Sequence, residues 1–417
     1  MIGLSSRPRL RDAPTRVLPY LNKALAALLL VSGLGGLTPV ASATEIATGA
    51  MLGPRYDSDR FYLRSGSRWE QTYSRGQYRS KARGRLMTLW LPNALFEDEW
   101  LTERKFDPDN NTDRVIAALD VYAAHGVGAI GVSPQGGDPG YAKEVNGISR
   151  NGVANGGKEH GSLVSAFKPD DSLKQSWMGR LERLLRETNS RGMVVCLAYF
   201  GRGQDEVFES QRAMVAAARN MTDWLIEKNF RNVVIDVAPG WDLEAENWDH
   251  GSFIPEYIAH VLEDVRERFH EAGFALPIGS SSGADISYPA SLAQLCDVVL
   301  VQGNGLSPGR KRVRLQELQS NQRPVWMVRD DNGQELNSEA LSREIASADV
   351  LFVNGAGWGF RPRAGAHQFP FDYRPGTTSE INGGSSPSDR DSAYFKAVLE
   401  HIATLVLKKP PHLRKKR

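Results

Sequence analysis

The stretch at 232–242, NVVIDVAPGWD, constrains the fold of this chain more than any other. Apolar and β-branched residues surround a single acid, Asp236, without helical spacing, which is typical of a buried strand in a parallel sheet. Helical patterns precede and follow it, at 211–228 and 254–270. Because a Pro-Gly pair does not continue a hydrogen-bonded ladder easily, the strand is predicted to end there. The stretch therefore predicts a strand–helix unit of an α/β protein.

The same alternation of short apolar runs and helical patterns recurs along the chain. The eight predicted strands lie at 85–91, 128–133, 193–200, 232–238, 277–282, 297–301, 324–328 and 350–360. Helices are predicted at 111–125, 172–191, 208–228, 254–272, 337–347 and 392–407. Eight strands alternating with helices predict a (β/α)8 TIM barrel. A doubly wound open sheet is the competing architecture, but no GxGxxG follows the first strand and no phosphate loop is present.

The first 43 residues have the pattern of an export signal. Five basic residues precede an apolar run at 24–40, and an Ala-Ser-Ala sequence follows it as a cleavage site. A membrane anchor is the alternative, but the run is short and three glycines interrupt it. We expect a secreted or periplasmic mature chain with no membrane span after signal cleavage. Its parts are then a lead-in with a short hairpin at 44–84, the barrel at 85–407 and a basic tail at 408–417.

Charge and cysteine content narrow the function classes. Residues 1–43 carry five basic groups and one acid, so their removal changes the formal net charge from +2 to −2. A mildly acidic body argues against a nucleic-acid partner. Cys196 and Cys296 are the two cysteines, and their places in or beside strands favour buried thiols over a disulfide. The eight histidines are scattered without metal-ligand spacing, so neither a metal nor another cofactor is predicted.

Polar and aromatic side chains follow most of the predicted strands. The carboxyl ends of barrel strands meet at one face, where such groups form a site. Amides and acids recognise the hydroxyls of sugars, and flat rings cover their apolar faces. Each residue taken alone also has a structural interpretation, since strand-end Asn and Asp are common turn formers. The candidates for sugar contact at the strand ends are Asn93, Gln135, Tyr199, Gln302, Asn304 and Trp358.

The order of several motifs resembles the cellulase-type glycoside hydrolases of family five and its relatives, and most closely a group of bacterial exported cellulase-like proteins. The matching stretches cover most of 85–360 and lie at 135–137, 139–141, 165–195, 203–205, 232–238, 248–250, 302–304 and 357–359. The resemblance implies a (β/α)8 barrel that hydrolyses O-glycosyl bonds in a poly- or oligosaccharide. It also implies two catalytic glutamates, an acid/base after the fourth strand and a nucleophile after the seventh.

This chain departs from the family at both catalytic positions. Gly240 stands in the place of the acid/base and Arg329 in the place of the nucleophile. Glycine cannot transfer a proton, and arginine stays protonated, so neither residue can do the family's chemistry. If the register is shifted by one residue, neighbouring acids could take the two catalytic roles. Such a shift turns the next residue of the strand away from the mouth unless the strand bulges. The displaced catalytic candidates are then Asp242, Glu244, Asp330 and Asp331.

Three functions follow from these residues. The first is a hydrolase that uses the displaced acids, and the second is a catalytically retired barrel that binds polysaccharide. Arg329 in the cleft then favours an anionic sugar, because a guanidinium matches carboxylate and sulfate groups. The third is a structural envelope protein, in which Arg329 is held in a buried ion pair with an acid such as Asp236. The loss of both glutamates favours the second function.

Overall fold

The structure is a computed structural model, and the residues it describes all lie within the larger of two units of the chain, Glu45–Arg417. Three short segments at 50–51, 62–65 and 68–70 are described, and so are residues 85–407 with gaps. The gaps fall at 98, 100–106, 137–143, 146–147, 150–163, 202–203, 244–247, 249, 251–254, 284, 304, 322, 331–336, 363–372 and 376–388. The expected signal and the basic tail lie outside the described residues.

Two small antiparallel sheets are separate from the main sheet, one before the first barrel strand along the chain and one between β5 (Ala129–Val132) and β8 (Val194–Ala198). In the lead-in, β1 (Ala50–Met51), β2 (Tyr62–Ser65) and β3 (Arg68–Glu70) form a three-stranded sheet. In the long loop predicted at 134–161, β6 (Glu144–Val145) pairs with β7 (Ile148–Ser149). The lead-in therefore contains the antiparallel pairing that its sequence predicts.

The main sheet is a ring of eight parallel strands. They are β4 (Met87–Trp90), β5 (Ala129–Val132), β8 (Val194–Ala198), β9 (Val233–Asp236), β10 (Ile278–Gly279), β11 (Val299–Gln302), β12 (Val325–Asp330) and β13 (Gly357–Phe360). The order is β10-β9-β8-β5-β4-β13-β12-β11. A parallel bridge between Ser282 and Val301 joins β10 to β11. The prediction of a (β/α)8 barrel is confirmed.

In the described residues, one α-helix follows each barrel strand. The helices are α1 (Pro108–Ala124), α2 (Gln175–Ser190), α3 (Gln211–Glu227), α4 (Pro255–Glu271), α5 (Ala290–Leu295), α6 (Pro308–Gln319), α7 (Ser338–Val353) and α8 (Asp389–Val406). Side-chain caps accept backbone N–H groups at the start of several of them, as Asp107 does for α1 and Asn337 for α7. Within the described residues, no helix is both long enough and apolar enough to cross a bilayer.

The core has two layers because strand residues alternate between the inside of the barrel and the helices. The larger layer packs the outer faces of the strands against the helices. The inner layer is a smaller cluster that fills the barrel, as is usual in this fold. Its members are Leu86, Trp90, Ala129, Val194, Cys196, Ala198, Val234, Val298, Leu300, Trp326 and Val328. Cys196 and Cys296 are both buried and free, as predicted.

The predicted eighth strand is wrong over its first half. Residues 350–353 continue α7, which ends at Val353, and β13 begins only at Gly357. The apolar run VLFV is compatible with either structure over so short a length. In the helix, Leu351 and Phe352 are buried while Val353 is 74% exposed. Asn354 caps the helix, and Gly355 turns the chain with φ of +90°.

Candidate functional site

Arg329 lies at the carboxyl end of β12 and points toward the barrel mouth. It is the only residue of that strand that is not buried. Its Nη2 donates a hydrogen bond to Oε1 of Gln302 on the neighbouring strand. Its guanidinium carbon lies 5.9 Å from the ring centroid of Trp90, within the range of a cation–π contact. Trp90 belongs to the inner layer, so these contacts fix a cation above the packed interior.

A chain of hydrogen bonds connects Arg329 to a buried acid. Gln302 accepts from Arg329 and donates through Nε2 to Oγ of Ser281 at 3.1 Å. The backbone N–H of Ser281 in turn donates to Oδ1 of Asp236 at 2.8 Å. The four residues come from β9, β11, β12 and the segment after β10, so the chain runs around one side of the barrel. The sequence predicted that Asp236 points inward, and its place beside inner-layer Val234 on the same strand confirms this.

Asp236 is a carboxyl group in an apolar interior. It is fully buried, and its Oδ2 has no hydrogen-bond partner among the described residues. Burial raises the pKa of Asp236 from 3.8 to about 7, against the lowering effects of the Ser281 hydrogen bonds and the Arg329 charge. Arg329 therefore acts on Asp236 through its charge, while its Nη2 donates a hydrogen bond to Gln302. The predicted ion pair takes the form of an electrostatic coupling.

Gly240 occupies the position that the family resemblance assigns to the acid/base. It adopts φ of +75°, a conformation that favours glycine. A Cβ atom there would lie 2.9 Å from Cδ1 of Leu243 and 3.8 Å from Nε2 of Gln302. The position does border the site, but Leu243 fills the space where a side chain would begin. Both the backbone conformation and the contact with Leu243 therefore favour glycine in the turn after β9.

Asp330, the displaced nucleophile candidate, faces away from the mouth. Both of its carboxylate oxygens lie 2.7 Å from Nζ of Lys311 on α6, and both residues are fully buried at their side chains. Nε1 of Trp358 donates to Oδ2 of Asp330 at 3.0 Å. This carboxylate is held between the barrel and its helices, where it cannot reach a sugar bound at the mouth.

Two of the predicted sugar contacts are aromatic rings that lie buried between the strands and the helices. Trp358 is 1% exposed and stacks on Phe360 in the outer layer, with 6.2 Å between ring centroids. Tyr199 is buried against α3, where its hydroxyl lies 3.1 Å from Oγ1 of Thr222. Successive residues of a strand face opposite sides of the sheet, and both rings lie on the outer side, against the helices. They therefore offer no surface to a ligand at the mouth.

Gln135 and Asn93 are also fully buried. Nε2 of Gln135 donates to Oγ of Ser165 and to the carbonyl of Gln204, and its Oε1 accepts from the N–H of Gly201. These bonds tie the segments after β5 and β8 together. The backbone carbonyl of Asn93 accepts from Nδ2 of Asn111 at 2.8 Å. Gln135 thus connects two loops, and Asn93 connects the segment after β4 to α1.

Of the remaining acid candidates, only Asp242 is described with its contacts. It is partly exposed, and its Oδ1 accepts from the N–H of Gly283 in the segment after β10. Glu244, Asn304 and Asp331 lie outside the described residues. Within the described part of the chain, no cluster of His, Cys, Asp and Glu could hold a metal ion.

Sequence reasoning missed Trp90, which lies beneath the guanidinium. Trp90 pairs in register with Gly131 on β5, where an added Cβ would come within 2.1 Å of the Trp90 ring. A glycine opposite a strand-end tryptophan is therefore the signal that could have indicated an inward-facing ring. Lys311 was missed as well, because a lysine in a basic helix gives no sign of burial.

The fold and the described site define a (β/α)8 barrel with a cation at its mouth. No protein-family model matches this chain, and no curated protein sequence matches it. Solved structures that resemble the fold include a broad-specificity endoglucanase of family GH5-4 from Clostridium longisporum, with 11% identity, 78% of this chain and 98% of that chain covered, and a TM-score of 0.47.

Two further similar structures are family 5 glycoside hydrolases. The enzyme from Prevotella bryantii B14 is 7% identical, with 80% of this chain and 99% of that chain covered, and has a TM-score of 0.47. The protein from Bacteroides vulgatus is 12% identical, with 82% and 68% covered, and has a TM-score of 0.46. At this similarity the neighbours assign neither an activity nor a substrate to this chain.

Proposed function

We propose that this chain is an exported, glycoside-hydrolase-like barrel that binds an anionic polysaccharide and has a degenerate catalytic site. One observation carries the proposal: Arg329 stands at the nucleophile's position, faces the mouth and is oriented by Gln302 and Trp90. A guanidinium held this way matches a uronate carboxylate or a sulfate, which it can bind through two parallel hydrogen bonds.

The placement of the acids supports binding rather than hydrolysis. Glycosidases of both stereochemical types use two carboxyl groups that flank the scissile bond. Here Gly240 has no side chain, Asp330 is bonded to Lys311, and Asp236 is buried below the mouth. A permanent cation at the nucleophile's position would also disfavour the oxocarbenium-like charge that develops on the sugar in glycoside hydrolysis.

Export is the second part of the proposal. The basic start, the apolar run and the Ala-Ser-Ala sequence within residues 1–43 support cleavage after Ala43 and a secreted or periplasmic location. The amino terminus of the protein recovered from a bacterial host, read by mass spectrometry, tests this. A mature chain that begins at Thr44 supports export, and an intact start at Met1 in a membrane fraction contradicts it.

The binding proposal is tested with matched acidic and neutral ligands. Methyl esterification of oligogalacturonate removes the charge of the carboxyl groups and adds only a methyl group to each, so calorimetry with both forms tests the role of charge. We expect binding of the acid form that falls at least about tenfold in Arg329→Ala. The loss in Arg329→Lys should be smaller because lysine keeps the charge, although it cannot form the bidentate pair. Arg343→Ala on an exposed face of α7 is the control.

Release of reducing sugar is measured on the same ligands. Release by the wild-type protein that disappears in Asp242→Asn would overturn the proposal and identify a hydrolase with a relocated acid. An absence of binding to uronate, sulfated and neutral glycans alike would also overturn it, and would favour a structural envelope protein.

A further inference from the structure

The end of β12 departs from regular alternation, and this departure decides what faces the mouth. Trp326 and Val328 belong to the inner layer, so an unbroken strand would point Asp330 inward and Arg329 outward. The observed arrangement is the reverse. The register of β12 shifts against β11 between Val301 and Gln302, and against β13 between Met327 and Asp330. A bulge of this kind re-aims the side chains that follow it.

Two side chains bind the Asp330 carboxylate in its outward position, and a third binds one of them. Nζ of Lys311 on α6 contacts both carboxylate oxygens and also donates to Oγ of Ser347 on α7 at 3.0 Å. Trp358 on β13 donates to the same carboxylate. Asp330, the residue directly after Arg329, is therefore bonded to α6 and to the adjacent strand β13, and Ser347 on α7 is bonded to Lys311.

Gly303 at the end of β11 completes the arrangement. Its N–H donates to the carbonyl of Arg329 at 2.9 Å. A Cβ at this position would lie 2.4 Å from Oδ1 of Asp330 and 2.6 Å from the sulfur of Met327. Because Gly303 has no side chain, the Asp330 carboxylate can approach β11. The backbone N–H of Gly303 also holds the Arg329 backbone.

A buried ion pair is not needed for stability alone. Taking both charges out of water costs much of what their attraction contributes, and well-packed apolar residues of similar volume often stabilise a fold equally well. Unlike apolar residues at these positions, an ion pair favours one arrangement of the strand. In the alternative register, Lys311 would be buried without the Asp330 carboxylate as its counter-charge. Asp330 directly follows Arg329, the one half-buried residue of β12. The arrangement that the ion pair selects therefore also sets the direction of the Arg329 side chain.

We propose that the Lys311–Asp330 pair is a positioning device that selects the bulged end of β12, directs Arg329 to the barrel mouth and so sets a preference for acidic over neutral sugars. The preference rests on the proposed function, whereas the orientation of Arg329 does not. Removal of the pair should allow regular alternation, with Arg329 turned away from the inner layer.

The test combines Lys311→Met with Asp330→Asn, which removes both charges and keeps an acceptor for Trp358. The pKa of Asp236 is followed in the ligand-free protein by carbon NMR of labelled aspartate, with Asp236→Asn for assignment. Because the Arg329 charge lowers the pKa of Asp236, the double variant should raise it. The preference for oligogalacturonate over its methyl ester should fall at least about tenfold.

The control is Arg180→Met with Glu97→Gln, which removes another pair with a buried cation, between α2 and the segment after β4. It should lower stability without moving the Asp236 pKa or the preference. Ser347→Ala serves if the double variant does not fold, since it removes one bond from Lys311 and leaves every charge in place; a smaller change in the same direction is expected.

An unchanged Asp236 pKa in folded variants would overturn the positioning role, even where stability falls. A raised pKa with an unchanged preference would overturn the link to sugar selection. If the wild-type protein binds no glycan, the proposed function fails, and the pKa measurement still decides the orientation of Arg329.

Discussion

Nζ of Lys311 lies 2.7 Å from both carboxylate oxygens of Asp330, and neither side chain is exposed to solvent. Lys311→Met alone should lower the free energy of unfolding by about 3–5 kcal/mol, because it leaves a buried charge without its partner. Urea unfolding measures the loss. The exposed Arg343–Glu339 pair, 3.5 Å apart, is the comparison, and Arg343→Met should cost less than about 1 kcal/mol. Equal losses at the two sites would contradict the buried character of the first pair.

The buried carboxyl of Asp236 should make stability fall as pH rises. Its pKa is raised from 3.8 to about 7, so between these values the folded protein binds more protons than the unfolded chain. The stabilisation of the protonated form is present below about pH 4 and is lost as pH rises through 7, by about 4 kcal/mol at most.

The measurement compares urea unfolding of the wild-type protein with Asp236→Asn from pH 4.5 to 8. The variant cannot titrate at this position, so the wild-type free energy of unfolding should decline relative to it across that range. A difference that stays constant, or one that grows in favour of the wild-type protein, would show that Asp236 is charged at low pH in the folded state.

Restoring a glutamate after β9 should not restore hydrolysis. Gly240→Glu places a side chain at φ of +75° and brings its Cβ within 2.9 Å of Leu243, so we expect a destabilisation of about 1–3 kcal/mol. Gly240→Asn is the matched variant, since asparagine tolerates this conformation better and should cost less. Thermal unfolding and reducing-sugar release are measured on both. Release by Gly240→Glu would mean that the rest of the catalytic site is intact.

Substitution of Trp90 should change the affinity for an acidic sugar, whereas substitution of Tyr199 should change only stability. Trp90→Leu removes the ring beneath Arg329 and should weaken binding of an acidic oligosaccharide several-fold, because the cation–π contact that orients the guanidinium is lost. Tyr199→Phe removes a hydroxyl that contacts Thr222, and should cost about 1 kcal/mol of stability with unchanged affinity. Calorimetry with oligogalacturonate and urea unfolding separate the effects. A loss of affinity in Tyr199→Phe would place that residue in the site after all.

Local patterns were sufficient for the architecture. A strand such as Val233–Asp236 reads as buried because its apolar residues have no helical period, and the helices on either side have one. Repetition of this unit along the chain leaves few alternatives to a barrel. The same reasoning failed at 350–353, because four apolar residues fit the end of a helix as well as the start of a strand. Only packing against neighbouring elements separates the two.

The sequence by itself determined that positions 240 and 329 hold Gly and Arg, the two residues that the family resemblance aligns with the expected glutamates. Tertiary structure decided which strand-end residues face the mouth. Alternation along a strand has a period of two, so one extra residue in a bulge reverses the direction of every side chain after it. After the bulge in β12, Lys311 and Trp358 contact the Asp330 carboxylate and Ser347 contacts Lys311, so the contacts come from three other elements. No local pattern contains those contacts, and this is why the sequence alone does not predict that Arg329 lies over Trp90 while Asp330 and Trp358 lie on the helix side of the strands.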